Sequence, residues 1–160
     1  MADGIKVRGD LTVTVRNVRT GEVVSTETVK NLIVNTGLRR MVELLAQNLG
    51  FAAAGAGITQ LEVGKGEAAA QASQEALVTP FSPAQYADID SKEVGPNYLI
   101  ITATIQENYT GIDNEVLKEA GLWAGEGTNK VLFARQAHSP VTKFADQALE
   151  YRWKIQFTVG

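Results

Sequence analysis

The sequence predicts a mainly β protein, either an antiparallel β-sandwich or a partly closed barrel of about 7–8 strands with one amphipathic α-helix. The final stretch, Leu149–Val159, alternates apolar and polar residues without a break, as in a strand with one face in the core. Other short runs rich in Val, Ile and Thr are separated by turns that contain glycine or proline. Only one stretch shows the periodicity of a long helix.

The beginning of the chain predicts a hairpin. Leu11–Val15 alternates apolar residues with Thr and reads as a first strand, and Val23–Val29 pairs back across the turn Arg19–Glu22. Residues 1–10 are polar and unpatterned, so we expect a flexible N-terminal arm. The remaining residues, 11–160, are enough for a single β-rich domain with one core.

One helix follows the hairpin. Asn35 or Thr36 can supply its N-cap, because either side chain can accept a hydrogen bond from a free backbone N–H of the first turn. The following apolar residues lie on one helical stripe, which predicts a helix over about 37–49 that covers one opening of the β structure. They are Leu38, Met41, Val42, Leu45 and Leu49.

A long, weakly patterned segment separates the next strand, Ile58–Val63, from the rest of the chain. Residues 64–96 contain Pro80 and Pro83 and predict a long loop, in which Glu67–Leu77 is either helical or irregular. This loop either folds over its own domain or attaches to a neighbouring chain. Phe81 and Tyr86 are the candidate apolar anchors for such a contact.

The second half predicts four more strands, at Tyr98–Gln106, Val116–Trp123, Val131–Arg135 and Leu149–Val159, with His138 in a surface loop. The apolar face of the last strand belongs to the core. Its polar face carries Glu150, Arg152 and Lys154, which we take as candidate contacts between neighbouring copies of the chain.

Composition argues against several classes of function. The formal net charge is −3, so no basic surface for nucleic acid is expected. There is no cysteine and only one histidine, which excludes thiolate nucleophiles and the usual zinc ligand sets. We find neither a secretory signal nor an apolar run long enough to span a bilayer, and therefore expect synthesis in the cytoplasm and no membrane partner.

The motifs closest to catalytic ones are incomplete. Gly64-Lys65-Gly66 lacks the Ser or Thr that follows the lysine of a phosphate-binding loop. His138 is next to Ser139, but neighbouring strand positions face apart and no Gly-x-Ser-x-Gly elbow is present. Asp88 and Asp90 fall short of a calcium loop. We therefore predict no catalytic residues, no cofactor and no metal, although paired carboxylates assembled in three dimensions stay open.

Several short motifs, taken in order, resemble those of bacteriophage tail-collar and tail-fibre-type proteins. The resemblance lies in the order and spacing of the pieces rather than in any one of them, and it spans about residues 11–159. The pieces are Asn31–Leu38 leading into the helix, Leu61–Gly66, Ala76-Leu77, Lys118–Trp123, Val131–Arg135, Pro140–Lys143 and Trp153–Ile155.

This resemblance implies a non-enzymatic virion structural subunit that works as an oligomer and is assembled in the host cytoplasm. The chain lacks the repetitive shaft of fibre proteins, so a baseplate piece, a fibre adaptor and a capsid decoration (cement) protein are all expected candidates. Small decoration proteins are similarly β-rich and often trimeric, which makes a homotrimer bound to capsid or tail subunits the expectation. The alternative is a carbohydrate-binding β module for host surface glycans, with Trp123 as an exposed sugar platform.

Overall fold

The structure is a computed structural model that describes residues 5–46 and 56–159. Within these residues eight antiparallel strands form a closed barrel in the order β1-β2-β7-β6-β3-β4-β5-β8, and one helix packs on it. The predicted mainly β class with one helix is thus confirmed. The elements are β1 Ile5–Asn17, β2 Val23–Ile33, α1 Asn35–Ala46, β3 Ile58–Gly64, β4 Pro80–Val94, β5 Tyr98–Ile105, β6 Val116–Ala124, β7 Val131–Thr142 and β8 Gln147–Val159.

The last strand is central to the barrel, as its alternation predicts. β8 pairs with β1 along the whole of Ile5–Asn17 and with β5 along Tyr98–Ile105. Its inward side chains Tyr151 and Trp153 are fully buried, and their rings stack with centroids 6.4 Å apart. Burial of such large aromatic groups makes them major contributors to core stability.

The predicted flexible arm is wrong for residues 5–10. These residues begin β1 and pair with the end of β8, from Ile5 opposite Val159 to Asp10 opposite Lys154. Val7 and Gly9 face inward, while Lys6, Arg8 and Asp10 face outward, so the alternation of a strand is present but weak. Residues 1–4 lie outside the described residues.

The predicted loop over 64–96 is wrong for its second half. Pro80–Val94 is a strand of 15 residues, β4, which first pairs with β3 and then switches to β5. The register jumps from Val63 opposite Gln85 to Gly64 opposite Pro80, and Pro83 lies in this irregularity, where no ladder N–H is needed. Most β4 side chains are exposed, so the strand lacks the apolar pattern by which a strand is recognised in a sequence. Residues 65–79 form neither helix nor strand, so Glu67–Leu77 is irregular.

The predicted surface loop at His138 is also wrong. β7 continues to Thr142, so His138 lies in a strand with its side chain in the barrel, only 8% exposed. Pro140 is tolerated here because this part of β7 has β6 on one side only.

Helix α1 packs with a face that overlaps the predicted stripe only in part, at Met41. Gly37, Arg40 and Met41 face the barrel, whereas Leu38 and Val42 are 39% and 65% exposed. The contact is close at Gly37, where a Cβ atom would lie 2.1 Å from the Phe133 carbonyl oxygen. Backbone proximity thus selects the glycine face over the more apolar one. The Leu45 side chain and the predicted helix end near residue 49 lie outside the described residues.

The Thr36 side chain does not act as an N-cap. Its hydroxyl donates to the Leu132 carbonyl at 2.5 Å, and the first helical hydrogen bond runs from the Leu38 N–H to the Val34 carbonyl. The helix begins directly after β2. The hydrogen bond from the Thr36 hydroxyl to Leu132 therefore attaches the first turn of the helix to β7.

Candidate functional site

One wall of the barrel is covered by the chain's own residues 65–79. The cover is held by Glu119 on β6, whose side chain is fully buried. The Glu119 carboxylate accepts hydrogen bonds from the backbone N–H groups of Gly66, Val78 and Thr79, at 2.9, 3.0 and 2.7 Å. It also pairs with the guanidinium of Arg135 on β7, 2.7 Å from Nε. Four donors converge on one carboxylate, which fixes both ends of the segment.

Arg135 completes this attachment. It is fully buried, and its Nη1 donates to the Ala68 carbonyl at 2.9 Å and to Gln74 Oε1 at 3.2 Å. Burial alone would raise the pKa of Glu119, but the Thr79 and Val78 amides and the Arg135 charge outweigh it and hold the pKa below its ordinary value. Glu119 is therefore ionised at neutral pH.

The segment also packs directly on the barrel. Leu77 is buried against Gly121, where an added Cβ would lie 2.8 Å from Leu77 Cδ2, so the missing side chain makes room for the cover. The Asn35 N–H donates to the Ala72 carbonyl at 2.8 Å, which joins the segment to the start of α1. Residues 65–79 thus fold over their own domain, which is one of the two expectations for the predicted loop.

Within residues 5–46 and 56–159, no segment covers the opposite wall in this way. The outer side of the sheet β2-β1-β8-β5-β4, called here the sheet face, presents seven threonines and nine charged side chains. Two cross-strand threonine pairs are hydrogen-bonded, Thr12 with Thr28 at 2.9 Å and Thr14 with Thr26 at 3.2 Å. The charged residues are the cations Lys6, Arg8, Arg16, Lys30, Arg152 and Lys154 and the carboxylates Asp10, Glu93 and Glu150.

The charges of the sheet face are not paired with one another. Among the described residues, none of the seven ion pairs within 4 Å includes a residue of this face. Lys154 lies 5.0 Å from the centre of the Tyr98 ring, and Arg16 donates to the Gly21 carbonyl. Cations outnumber carboxylates two to one here, although the whole chain is net negative.

The predicted contact residues fall into two groups. Glu150, Arg152 and Lys154 lie together on the sheet face, where Arg152 sits between Thr12 and Thr102 of the flanking strands. Phe81 is half-buried against the core, with the Lys65 ammonium 4.7 Å from its ring centre. Tyr86 lies on the outer side of β4, and the Lys130 ammonium is 3.6 Å from its ring centre. Phe81 and Tyr86 are thus engaged within the chain.

Trp123 is not the exposed platform that the carbohydrate hypothesis requires. Its side chain is half-buried, its indole N–H donates to Glu62 at 2.7 Å, and Lys130 lies 5.2 Å from its ring centre. Burial raises the pKa of Glu62, and the Trp123 hydrogen bond and the Lys130 charge offset part of that effect. The ring faces side chains of its own chain.

His138 belongs to a polar pair inside the barrel. Its Nε2 is 3.3 Å from the Tyr151 hydroxyl, and its Nδ1 is 2.8 Å from the Ser139 carbonyl oxygen. The Ser139 hydroxyl instead donates to Glu27 at 2.9 Å, so the histidine does not activate this serine. No group of three or more metal-binding side chains with suitable geometry occurs in the described ranges.

Sequence patterns did not reveal the Glu119–Arg135 pair. Both residues occupy outward strand positions, where a charged side chain is ordinarily exposed to solvent. They are buried here only because the covering segment packs over them. The one hint is the glycine at 121 beside them, since glycine in a strand often marks a close approach of another segment.

The described helix is too short to cross a lipid bilayer. Comparison with known proteins gives no relationship on which to base a function: no family model, no curated protein and no solved structure matches the chain.

Proposed function

We propose that the chain is a non-enzymatic structural subunit of a bacteriophage virion, associated with the tail, fibre or baseplate or decorating the capsid. It acts through contacts with copies of itself and with other virion proteins. The order of motifs that resemble tail-collar and tail-fibre-type proteins supports the virion assignment.

The observation that carries the contact role is the difference between the two walls of the barrel. The chain covers one wall with α1 and residues 65–79, using a buried ion pair. In the part of the chain that the structure describes, nothing covers the sheet face and no ion pair includes its charges. A broad sheet surface with mixed charge suits a partner that brings complementary charges and polar groups, because electrostatic matching gives specificity and register. The sheet face is the docking surface in this proposal.

Particles of the virus that encodes this chain provide the test. We expect the chain in purified particles by mass spectrometry, and labelled antibodies to place it on the capsid or tail by electron microscopy. Replacement of the sheet-face cation Arg152 by Glu should reduce incorporation at least tenfold, while Arg39→Glu on the exposed side of α1 should leave incorporation unchanged. Absence from particles, or equal incorporation of both variants, would contradict the proposal.

Carbohydrate binding, the second candidate, has less support because Lys130 lies close to the faces of both Tyr86 and Trp123. It predicts binding on a glycan array that Trp123→Ala abolishes. A binding signal that survives this substitution, or no signal at all, would exclude Trp123 as a sugar platform.

A further inference from the structure

A groove rich in carboxylates runs over the outer side of β4, beside the sheet face, which it meets at Thr104. It consists of two adjoining clefts that share Asp88, with volumes of about 500 and 290 Å³. Glu126 lines the first cleft, and Asp90 lines the second together with Tyr86 and Tyr109. We call this surface the acidic groove.

The carboxylates of the acidic groove form no ion pair with another described residue. Of the ion pairs in the described ranges, none includes Asp88, Asp90 or Glu126. The one cation in the groove, Lys130, donates to Gln60 Oε1 at 2.7 Å and lies over the Tyr86 ring. The groove therefore offers negative charge and aromatic edges to a partner.

We infer that the sheet face of one copy docks on the acidic groove of the next, so that the subunit associates head to tail. The sheet face has twice as many cations as carboxylates, and arginines are three of its six cations. A guanidinium can bind a carboxylate through two parallel hydrogen bonds and stack on a tyrosine ring, and the second cleft supplies both groups. This inference rests on the proposed role as a virion subunit and names one of its partners.

Symmetric pairing of either surface with itself is disfavoured. Two sheet faces would bring their excess cations together, and two acidic grooves would bring carboxylates together, which costs binding free energy. Contacts between two different surfaces are heterologous: they close into a ring when the rotation between copies permits, and otherwise continue as a filament.

Charge reversal tests the inference on the full chain. One variant combines Arg152→Glu and Lys154→Glu on the sheet face, and the other combines Asp88→Lys and Asp90→Lys in the acidic groove. We expect the unmodified chain to associate at about 0.05 M salt and to dissociate at about 0.5 M, as exposed ion pairs are screened. Each variant alone should associate at least tenfold more weakly, as measured by sedimentation velocity.

Mixing the two variants gives the decisive result. One now has two acidic surfaces and the other two basic ones, so an equimolar mixture should associate again. Arg39→Glu and Glu75→Lys, which each make one charge reversal of the corresponding sign elsewhere on the surface, should associate like the unmodified chain. Circular dichroism melting verifies that all variants are folded.

Three outcomes would overturn the inference: an unmodified chain that stays monomeric, variants that associate normally, or a mixture that does not associate. A monomeric chain still found in particles would remove head-to-tail association and leave the proposed virion role intact. A chain that associates but is absent from particles would contradict the proposed virion role and leave head-to-tail association intact.

Discussion

At the scale of single residues, the unusual feature is the number of charged or polar groups that are buried and still partnered. Glu119 and Arg135 pair with each other and bind four backbone groups of the covering segment, although Nη2 of Arg135 has no hydrogen-bond partner among the described residues. Lys143 is also fully buried, and its Nζ donates to Asp113 Oδ1 at 2.5 Å and to the Glu107 carbonyl at 3.1 Å. Burying a charge is costly unless it is paired, so each of these groups depends on its partners.

Glu119→Gln should strongly destabilise the protein. The substitution keeps the side-chain shape but leaves the buried Arg135 without a counter-ion, which we expect to lower the free energy of unfolding by about 3–5 kcal/mol. Urea denaturation measures the change, and hydrogen exchange should show faster exchange of the Gly66, Val78 and Thr79 amides. Glu67→Gln, which removes the exposed ion pair with Lys118, is the control and should have little effect. A loss as small as that of the control would contradict the assigned role.

His138 should make stability fall on mild acidification. Burial lowers its pKa, and the Ser139 carbonyl and the carboxylates of Glu27 and Glu119 offset this only in part. Between the folded pKa and the ordinary value of 6.5, the unfolded chain binds a proton that the folded chain does not. The stability that the folded state gains from keeping His138 neutral is therefore complete above pH 6.5 and decreases as the pH falls below that value.

Urea midpoints at about pH 7.5 and about pH 5.5 measure this effect. His138→Gln, which cannot titrate, should lose less stability between the two values than the unmodified chain. Equal losses would show that His138 does not carry the dependence.

At the scale of secondary-structure elements, close backbone approach decides how the pieces fit. Helix α1 contacts β7 through Gly37, and the covering segment contacts β6 at Gly121. Neither contact follows from apolar periodicity, which favours the Leu38–Val42 side of the helix. The position of α1 is instead fixed by polar anchors, including Arg40, which donates to the carbonyls of Ala56 and Asn129.

Gly37→Ala tests this packing, because two effects have opposite signs. In an unhindered helix the substitution would stabilise by about 1 kcal/mol. Here the new Cβ would meet the Phe133 carbonyl at 2.1 Å, so we expect a net loss of about 1–3 kcal/mol in urea denaturation. Gly57→Ala adds a methyl group to open space and should be nearly neutral. Stabilisation by Gly37→Ala would show that the helix does not approach β7 this closely.

At the scale of the whole molecule, the barrel is closed unevenly. Among the described residues, β2 pairs with β7 only at Leu32 opposite Arg135 and Ile33 opposite Ala134, whereas β1 pairs with β8 over 13 positions. Further along this seam a side chain replaces the missing ladder. The Glu27 carboxylate accepts from the Ser139 N–H and from the Ser139 hydroxyl, each at 2.9 Å.

Glu27→Ala should weaken the closure of the barrel. Loss of two hydrogen bonds to a half-buried carboxylate is expected to cost about 1 kcal/mol in urea denaturation and to speed exchange of the Ser139 amide. Glu22→Ala in the β1–β2 turn is the matched control and should change neither measurement. Unchanged exchange at Ser139 would mean that Glu27 does not hold the seam.

The sequence by itself determined the elements whose burial is one-sided. Leu149–Val159 and the hairpin of β1 and β2 follow from alternation and turn residues, because a two-residue period reports which face meets the core. The strands β3, β5 and β6 are buried on parts of both faces, and the sequence indicated them as short apolar runs near turn residues. Glu150, Arg152 and Lys154 could be placed on one outer face for the same reason.

Only the tertiary structure decided the rest. β4 has no clear apolar face, so its pairing with β3 and β5, not its composition, makes it a strand. Glu119 and Arg135 carry polar side chains that local patterning assigns to the surface, and they are buried only because a distant segment packs over them. His138 is buried because β7 continues through it and turns its side chain into the barrel beside Tyr151. The acidic groove likewise depends on separate turns meeting beside β4. Periodicity is a local property of the chain, whereas burial of a charge depends on partners far along the sequence.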